Sequence, residues 1–597
     1  MPAHVRYQIQ PLDPRTHLFE VRCTVPRPAA RGQIFRLPSW LRGSYLIRDF
    51  ARHVVDVRAQ TGGGRGVALT RLDKRSLQAA PVKGSLTLIA RVFAFDESVR
   101  KAFLDLDRGF FNPSSLCYRV EGAEHQPCEV EILAPTDPAC RDWRVATTLN
   151  PVRCNRAGFG RYRAENYEEL IDHPVTLAAF ERLDFSVDGI PHALVLTGHE
   201  PVDGARITAD LARICHVERE LFGQQPALDQ YLFLTHAVGS GYGGLEHRSS
   251  TALICARADL PAPGDTTMSR EYRSFLALCA HEYFHLWNVK RIAPARFLES
   301  DLGQEAYTRD LWHYEGVTSY YDDLFLLRAG LIGAADYLDI LAENATRLSR
   351  TPGRHLQSLA DSSFEAWTKY YQPDENTPNA VVSYYVKGGL VATGLDLQLR
   401  LRSRTCLDDV LRELWARYGR RGQGVPEGGL EAVAQACSGL ELQDFFDRYV
   451  RGTDELPLAQ WLAEFGVDAE LRAATGDADN GGRVSGQPGP VSLGLKLRAG
   501  EPRVAHVLAG GAAERAGVAP GDLLLALDGW RLGPANLSTR CARLRPGRAV
   551  PLHLMRGERL LTLSITPQPP ALDTWTLRLL PKPRAAVLKR RQAWLGA

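Results

Sequence analysis

The feature that most narrows what this chain can fold into is the segment SREYRSFLALCAHEYFHLWNVKRI, residues 269–292, whose apolar residues recur at helical spacing. It carries His281, Glu282 and His285. At about 100° per residue, histidines four apart return to one helix face a single turn apart, so both imidazoles can point at one ion. Glu282 projects about 100° away from His281, near such an ion but better placed to touch its water. That is the division of labour metal-assisted hydrolysis needs. The competing reading is an ordinary helix whose histidines and glutamate satisfy one another.

A catalytic zinc takes three protein ligands and keeps one position open for water. Downstream, LWHYEGVTSYYDDLFLLRAG, residues 311–330, reads as a second helix with Glu315 near its start. A glutamate there also favours a helix N-terminus electrostatically. As a ligand, it would complete a His281, His285 and Glu315 set for one Zn2+ per chain. His313 lies on the wrong side of a helix to replace it.

Composition bounds the rest. With 597 residues, 45% of them hydrophobic and 24% charged, the chain is long enough for several domains with buried cores. Lys and Arg number 72 against 69 Asp and Glu, so no global field draws nucleic acid or anionic lipid. No apolar stretch reaches the roughly 20 residues of a membrane span, and the N-terminus alternates like a strand instead of forming a leader. Eleven scattered cysteines without a C-x-x-C pair suit reduced thiols, and a cytoplasmic location is expected.

The organisation expected is multidomain α+β. Residues 1–165 have the short alternating runs of a β-sandwich-like domain, such as HLFEVRCTV and SLTLIARVFAF. Residues 166–474 follow with a β part over 175–262 and an α part over 265–470. TGDADNGGRVSGQPGP gives a flexible linker at 475–488. A separate module occupies 489–570, and a basic, solvated tail 571–597.

HEYFHLWNVKRI, followed by LWHYEGVTSYYDDLFLLRAGL, resembles the glycyl aminopeptidase family of gluzincin zinc metallopeptidases. The likeness extends to WLRGSYLIRDFARHV (40–54), NYEELIDHPV (166–175), GGLEHRSS (243–250) and YYVKGGLVATGLDLQLR (384–400). It implies a thermolysin-like catalytic domain over 166–474 and a zinc aminopeptidase acting on peptides with a free N-terminus, with Gly or Ala preferred first. Between His285 and Glu315 stand 29 residues, more than is usual in the wider aminopeptidase group.

The same resemblance implies roles for further residues. Gly243 and Gly244 would let an edge strand approach the substrate backbone, and Glu246 would bind its α-ammonium; a glycine-rich hairpin with a solvated acid is the alternative. His247 would either orient Glu246 or line a pocket wall. Tyr385, of Tyr385-Val386-Lys387-Gly388, would donate to the oxyanion, with Tyr384 as competitor. Glu282 would be the general base. Asn288 either bonds across the site or packs at the helix end.

VSLGLKL at 491–497 with GAAERAGVAPGDLLLALDGW at 511–530 looks like a PDZ domain. Such a domain would receive a peptide C-terminus on the amides of Leu493, Gly494 and Leu495. Two other readings of the whole chain stay in view: a zinc endopeptidase that recruits substrate through this module, and a non-catalytic scaffold.

Overall fold

The computed structural model describes residues 4–223, 226–476, 478–484 and 486–596; positions 477 and 485 of the expected linker lie outside them. The chain divides into two compact units, Met1–Ala306 with Trp415–Val425, and Tyr307–Leu414 with Pro426–Ala597. The division falls inside the segment 166–474 expected as one domain.

In the first unit, the alternating N-terminal runs are strands. Val5–Asp13 buries every second residue over most of its length, as a half-covered strand does. It lies in an eight-stranded sheet, parallel to Cys128–Ile132 and antiparallel to Leu18–Val25. Two four-stranded sheets complete this β-rich region. One of them holds Val175–Ala178 between Arg108–Phe111 and Arg144–Ala146. The N-terminal sheets therefore recruit chain beyond the expected boundary at 165. The cause is local: all four residues of VTLA are buried, which suits a strand interior to a sheet.

A five-stranded sheet follows, in the spatial order Glu181–Val187, Ile190–Thr197, Tyr231–Val238, Ser250–Ala256, Gly243–Glu246. Its three central strands run parallel, and their nearly unbroken apolar runs are what strands buried on both faces require. Helix Gly204–Phe222 makes the crossover between the first two of them. Gly243–Glu246 is antiparallel to Ser250–Ala256 and forms the sheet's edge.

The second unit is mainly helical, with Val317–Arg328, Ala334–Ser349 and Val386–Arg402 among its longer helices. Strands Val467–Ala473 and Leu572–Leu579 pair antiparallel, and between them in sequence lies a small module whose core begins at Val491. That module has a two-stranded ladder, Leu495–Leu497 with Val504–Val507, and a four-stranded sheet. Its own core includes Val504, Leu524, Leu552, Leu554 and Ile565. Asn379 holds it through both ends of its amide, donating to Val507 O at 2.8 Å and accepting from Ala509 N at 2.9 Å.

Two expectations fail here. The basic stretch 571–597 is not a solvated tail. It supplies the strand Leu572–Leu579 and the helix Ala585–Leu595, in which Trp594 is 3% exposed and donates to Tyr320 Oη at 3.2 Å. Composition concealed the interior face, since the cations are satisfied elsewhere: Arg590 pairs with Glu464, and Arg591 donates to Leu580 O. The linker is also tied down at its described residues. Asp479 accepts from Arg472, Thr475 and Gly481, while Arg483 pairs with Asp336 and Asp339.

Candidate active site

Helix Arg270–Phe284 begins where Ser269 caps it, its hydroxyl accepting from Tyr272 N at 3.0 Å. Phe275, Leu276, Cys279, Tyr283 and Phe284 bury its inner face. The helix stops earlier than the pattern to residue 292 predicts. His285 is the cap residue, and Val289 has a φ of +143°, which no helix allows. The turn so formed brings the Asn288 carbonyl within 2.6 Å of His285 Nδ1. A carbonyl only accepts, so Nδ1 carries the proton and Nε2 keeps its lone pair for a ligand. Asn288 thus acts on the site through its main chain. Trp287 stacks on Phe222 in the core, with ring centroids 4.7 Å apart.

The rings of His281 and His285 stand edge to face, 4.7 Å between centroids. Within the first unit, Glu246, Glu282 and His285 have the donors and spacing to hold a metal ion, one ligand atom per residue lying within 4.8 Å of the others. Two imidazoles one helical turn apart suit zinc, so the donor chemistry of His281 and His285 fits the ion expected from the motif. The same group brings the acids expected to act as base and as ammonium partner to one histidine.

The edge strand explains how Glu282 and Glu246 come close. A Cβ on Gly244 would sit 2.1 Å from Glu282 Oε1, so a side chain here would displace the acid. A second glycine serves Glu246. Gly43, at φ +92°, lies where a Cβ would come within 2.3 Å of both Glu246 oxygens. The loop WLRGSYLIRDF is a landmark of the sequence, yet nothing in it signals this contact, because 203 positions separate the two residues.

Beside Glu246 is a cavity of about 650 Å3 whose lining includes Gly43, Asp172, His247, Lys290 and Phe297. Asp172 pairs with Lys290 at 2.6 Å and lies 3.4 Å from His247. Burial opposes the Asp172 charge, but Lys290 and His247 outweigh it and hold the carboxyl well below its ordinary range. Burial likewise pushes the His247 imidazole down.

In the second unit, Glu315 is 3% exposed within the π-helical turn Trp312–Gly316. The following Gly316 meets Gly388 so closely that a Cβ on it would lie 2.5 Å from Gly388 Cα and 2.7 Å from Tyr384 O. The glycine of Tyr385-Val386-Lys387-Gly388 therefore permits two backbones to touch and sets the tyrosines near Glu315. Tyr384 is fully buried, and burial, then Tyr371 and Glu315, push its phenol far up. Tyr385 is half-buried, and its hydroxyl lies 3.2 Å from that of Tyr371. Tyr371 carried no sequence signal. Burial drives the His313 imidazole down to about 3.

In the C-terminal module, Leu493 O accepts from Ala513 N and Gly494 O from Leu508 N, while Gly494 N leans on Ser492 Oγ at 3.3 Å. Gly494 is at φ +70° and presses against Gly511.

Residues 6–179 match the Peptidase M61 N-terminal domain, and residues 274–391 match the M61 glycyl aminopeptidase family. The chain is similar to the aminopeptidase N family protein from Idiomarina loihiensis, at 39% identity over 99% of this chain and 100% of that one, with a TM-score of 0.95. An M1 zinc metallopeptidase from Deinococcus radiodurans is similar over 76% of this chain and 95% of that one, at 14% identity and a TM-score of 0.48. No curated protein matches the chain.

Proposed function

Since the chain belongs to the M61 glycyl aminopeptidase family and is a metallo-aminopeptidase, we propose that it removes the first residue, Gly or Ala by preference, from peptides with a free N-terminus. The observation that carries this reading is the convergence of Glu246, Glu282 and His285, with ligand atoms within 4.8 Å of one another. A base beside a metal ligand describes any zinc peptidase. A further acid beside both describes one that holds a cation next to the scissile bond.

His281, His285 and Glu315 would hold one zinc, with His285 steered by the Asn288 carbonyl. When bound, zinc supplies polarisation of the substrate carbonyl and acidification of water. Glu282 takes the proton of the attacking water and returns it to the departing amine. Glu246 pairs with the substrate ammonium and sets the register, so that the first peptide bond is the one presented. Internal bonds lack that cation and are poor substrates. Tyr385 donates its phenolic hydrogen to the oxyanion. Its half-buried position and its Tyr371 neighbour favour it over the fully enclosed Tyr384.

The module at 489–570 is read as a PDZ-like domain, with Leu493, Gly494 and Leu495 facing a peptide C-terminus. Cysteines that form no disulfide suit the cytoplasm, and no helix among the described residues is long and apolar enough to cross a membrane. The deciding experiment compares a glycyl-anilide with its N-acetylated form, with and without chelator. The expected result is cleavage of the free amine alone, abolished by chelation and restored by zinc. Cleavage of the blocked form would indicate an endopeptidase, and no turnover of either would indicate a scaffold. Glu282→Gln is expected to keep the metal and lose about a thousandfold or more in turnover.

A further inference from the structure

We propose that Arg100 binds the C-terminal carboxylate of di- and tripeptides, so that the enzyme is built for short peptides with both ends free. The inference rests on the reading of Glu246 as partner of the substrate ammonium.

Strand Gly243–Glu246 is paired on one side only, with Ser250–Ala256. His247 N donates to Ser250 O, so its main chain faces inward. Alternation along an antiparallel ladder then turns Leu245 and Gly243 inward too, and Gly244 and Glu246 toward the open edge. At that edge Arg100 Nη2 donates to Gly244 O at 3.0 Å. Its Nη1 would lie 3.8 Å from a Cβ on Gly243. The guanidinium therefore lies along the outer border of the strand expected to align substrate.

Two features suggest a purpose beyond bracing the strand. Arg100 forms no ion pair among the described residues, and its Nε is buried without a hydrogen-bond partner. A half-buried cation without a counter-charge is a ready site for an anion, and a guanidinium matches a carboxylate in shape and charge. Spacing selects which carboxylate. Gly244 lies two residues from Glu246, roughly 7 Å along an extended chain. A dipeptide spans about that distance between its ammonium and its carboxylate, and a tripeptide about one residue more. Longer peptides present at this point a neutral carbonyl, which gains much less from the charge.

The test measures kcat/KM of the zinc-loaded full chain on Gly-Ala, its C-terminal amide, and glycyl peptides of three to six residues. Wild type is expected to prefer the free acid over the amide by about ten- to a hundredfold, with the preference fading beyond three residues. Arg100→Gln should bring that ratio close to one, and Arg100→Lys should restore part of it. Equal rates on acid and amide in wild type, or an unchanged ratio in a folded Arg100→Gln, overturn the proposal. Should the glutamine variant not fold, the wild-type ratio and its length dependence decide. N-acetyl-Gly-Ala separates the two readings: its cleavage refutes the Glu246 assignment, whereas its resistance with a flat acid-to-amide ratio refutes Arg100 alone.

Discussion

Gly244→Ala is the sharpest probe of how the edge strand supports catalysis. The added methyl would begin 2.1 Å from Glu282 Oε1, 2.3 Å from its Cδ and 2.6 Å from its Cγ. Ordinary contact starts at 3.4 Å, so the oxygen must retreat by about 1.3 Å (3.4 minus 2.1). The obstructing atoms are the end of a flexible side chain, which can swing aside. The fold should therefore lose about 1 kcal/mol or less, while the base moves off its water. A displacement near 1 Å costs about a hundredfold in rate, or about 2.7 kcal/mol of barrier. The assay is kcat on a glycyl-anilide, with zinc content and thermal midpoint measured on the same preparation. Zinc content should match wild type, and the midpoint should fall by no more than about 4 °C. A kcat within about threefold of wild type, with an intact fold, would refute the claim that this glycine exists to admit Glu282.

Three further outcomes follow from the packing. Tyr385→Phe should lower kcat by about a hundred- to a thousandfold; Tyr384→Phe, at a fully enclosed hydroxyl, should change it little, and the reverse pattern would exchange their roles. The buried Asp172 carboxyl, held low by Lys290 and His247 against burial, contributes stability that is fully present above its unfolded value near 3.9 and is lost as pH falls toward its folded value. Asp172→Asn should therefore flatten the loss of thermal stability below about pH 4, and coincident profiles would exclude that contribution. Trp594→Ala, which empties a 3%-exposed site, should cost about 3–5 kcal/mol in a denaturant titration, where a solvated tail would show no change.

The candidate ligands were legible because helical spacing is local. His281, Glu282 and His285 follow from residue types four positions apart, whatever surrounds them. The central parallel strands were equally plain in HALVLTG and YLFLTHAV, since burial on both faces leaves a continuous apolar signature. The C-terminal stretch misled for the opposite reason: its cations dominate the composition, while Trp594 and Leu595 hold the helix in place.

What the sequence determined by itself is the chemistry of the donors and the order in which they stand along the chain. Tertiary structure alone decided which backbone groups aim them. The Asn288 carbonyl fixes the His285 tautomer through a turn opened by Val289. Gly43 closes on Glu246, Gly316 on Gly388, and Arg100 on Gly244 O. None of these contacts leaves a periodic trace, because each depends on a main-chain atom or a missing side chain meeting a partner distant in sequence. Such approaches exist only once the strands and helices have packed.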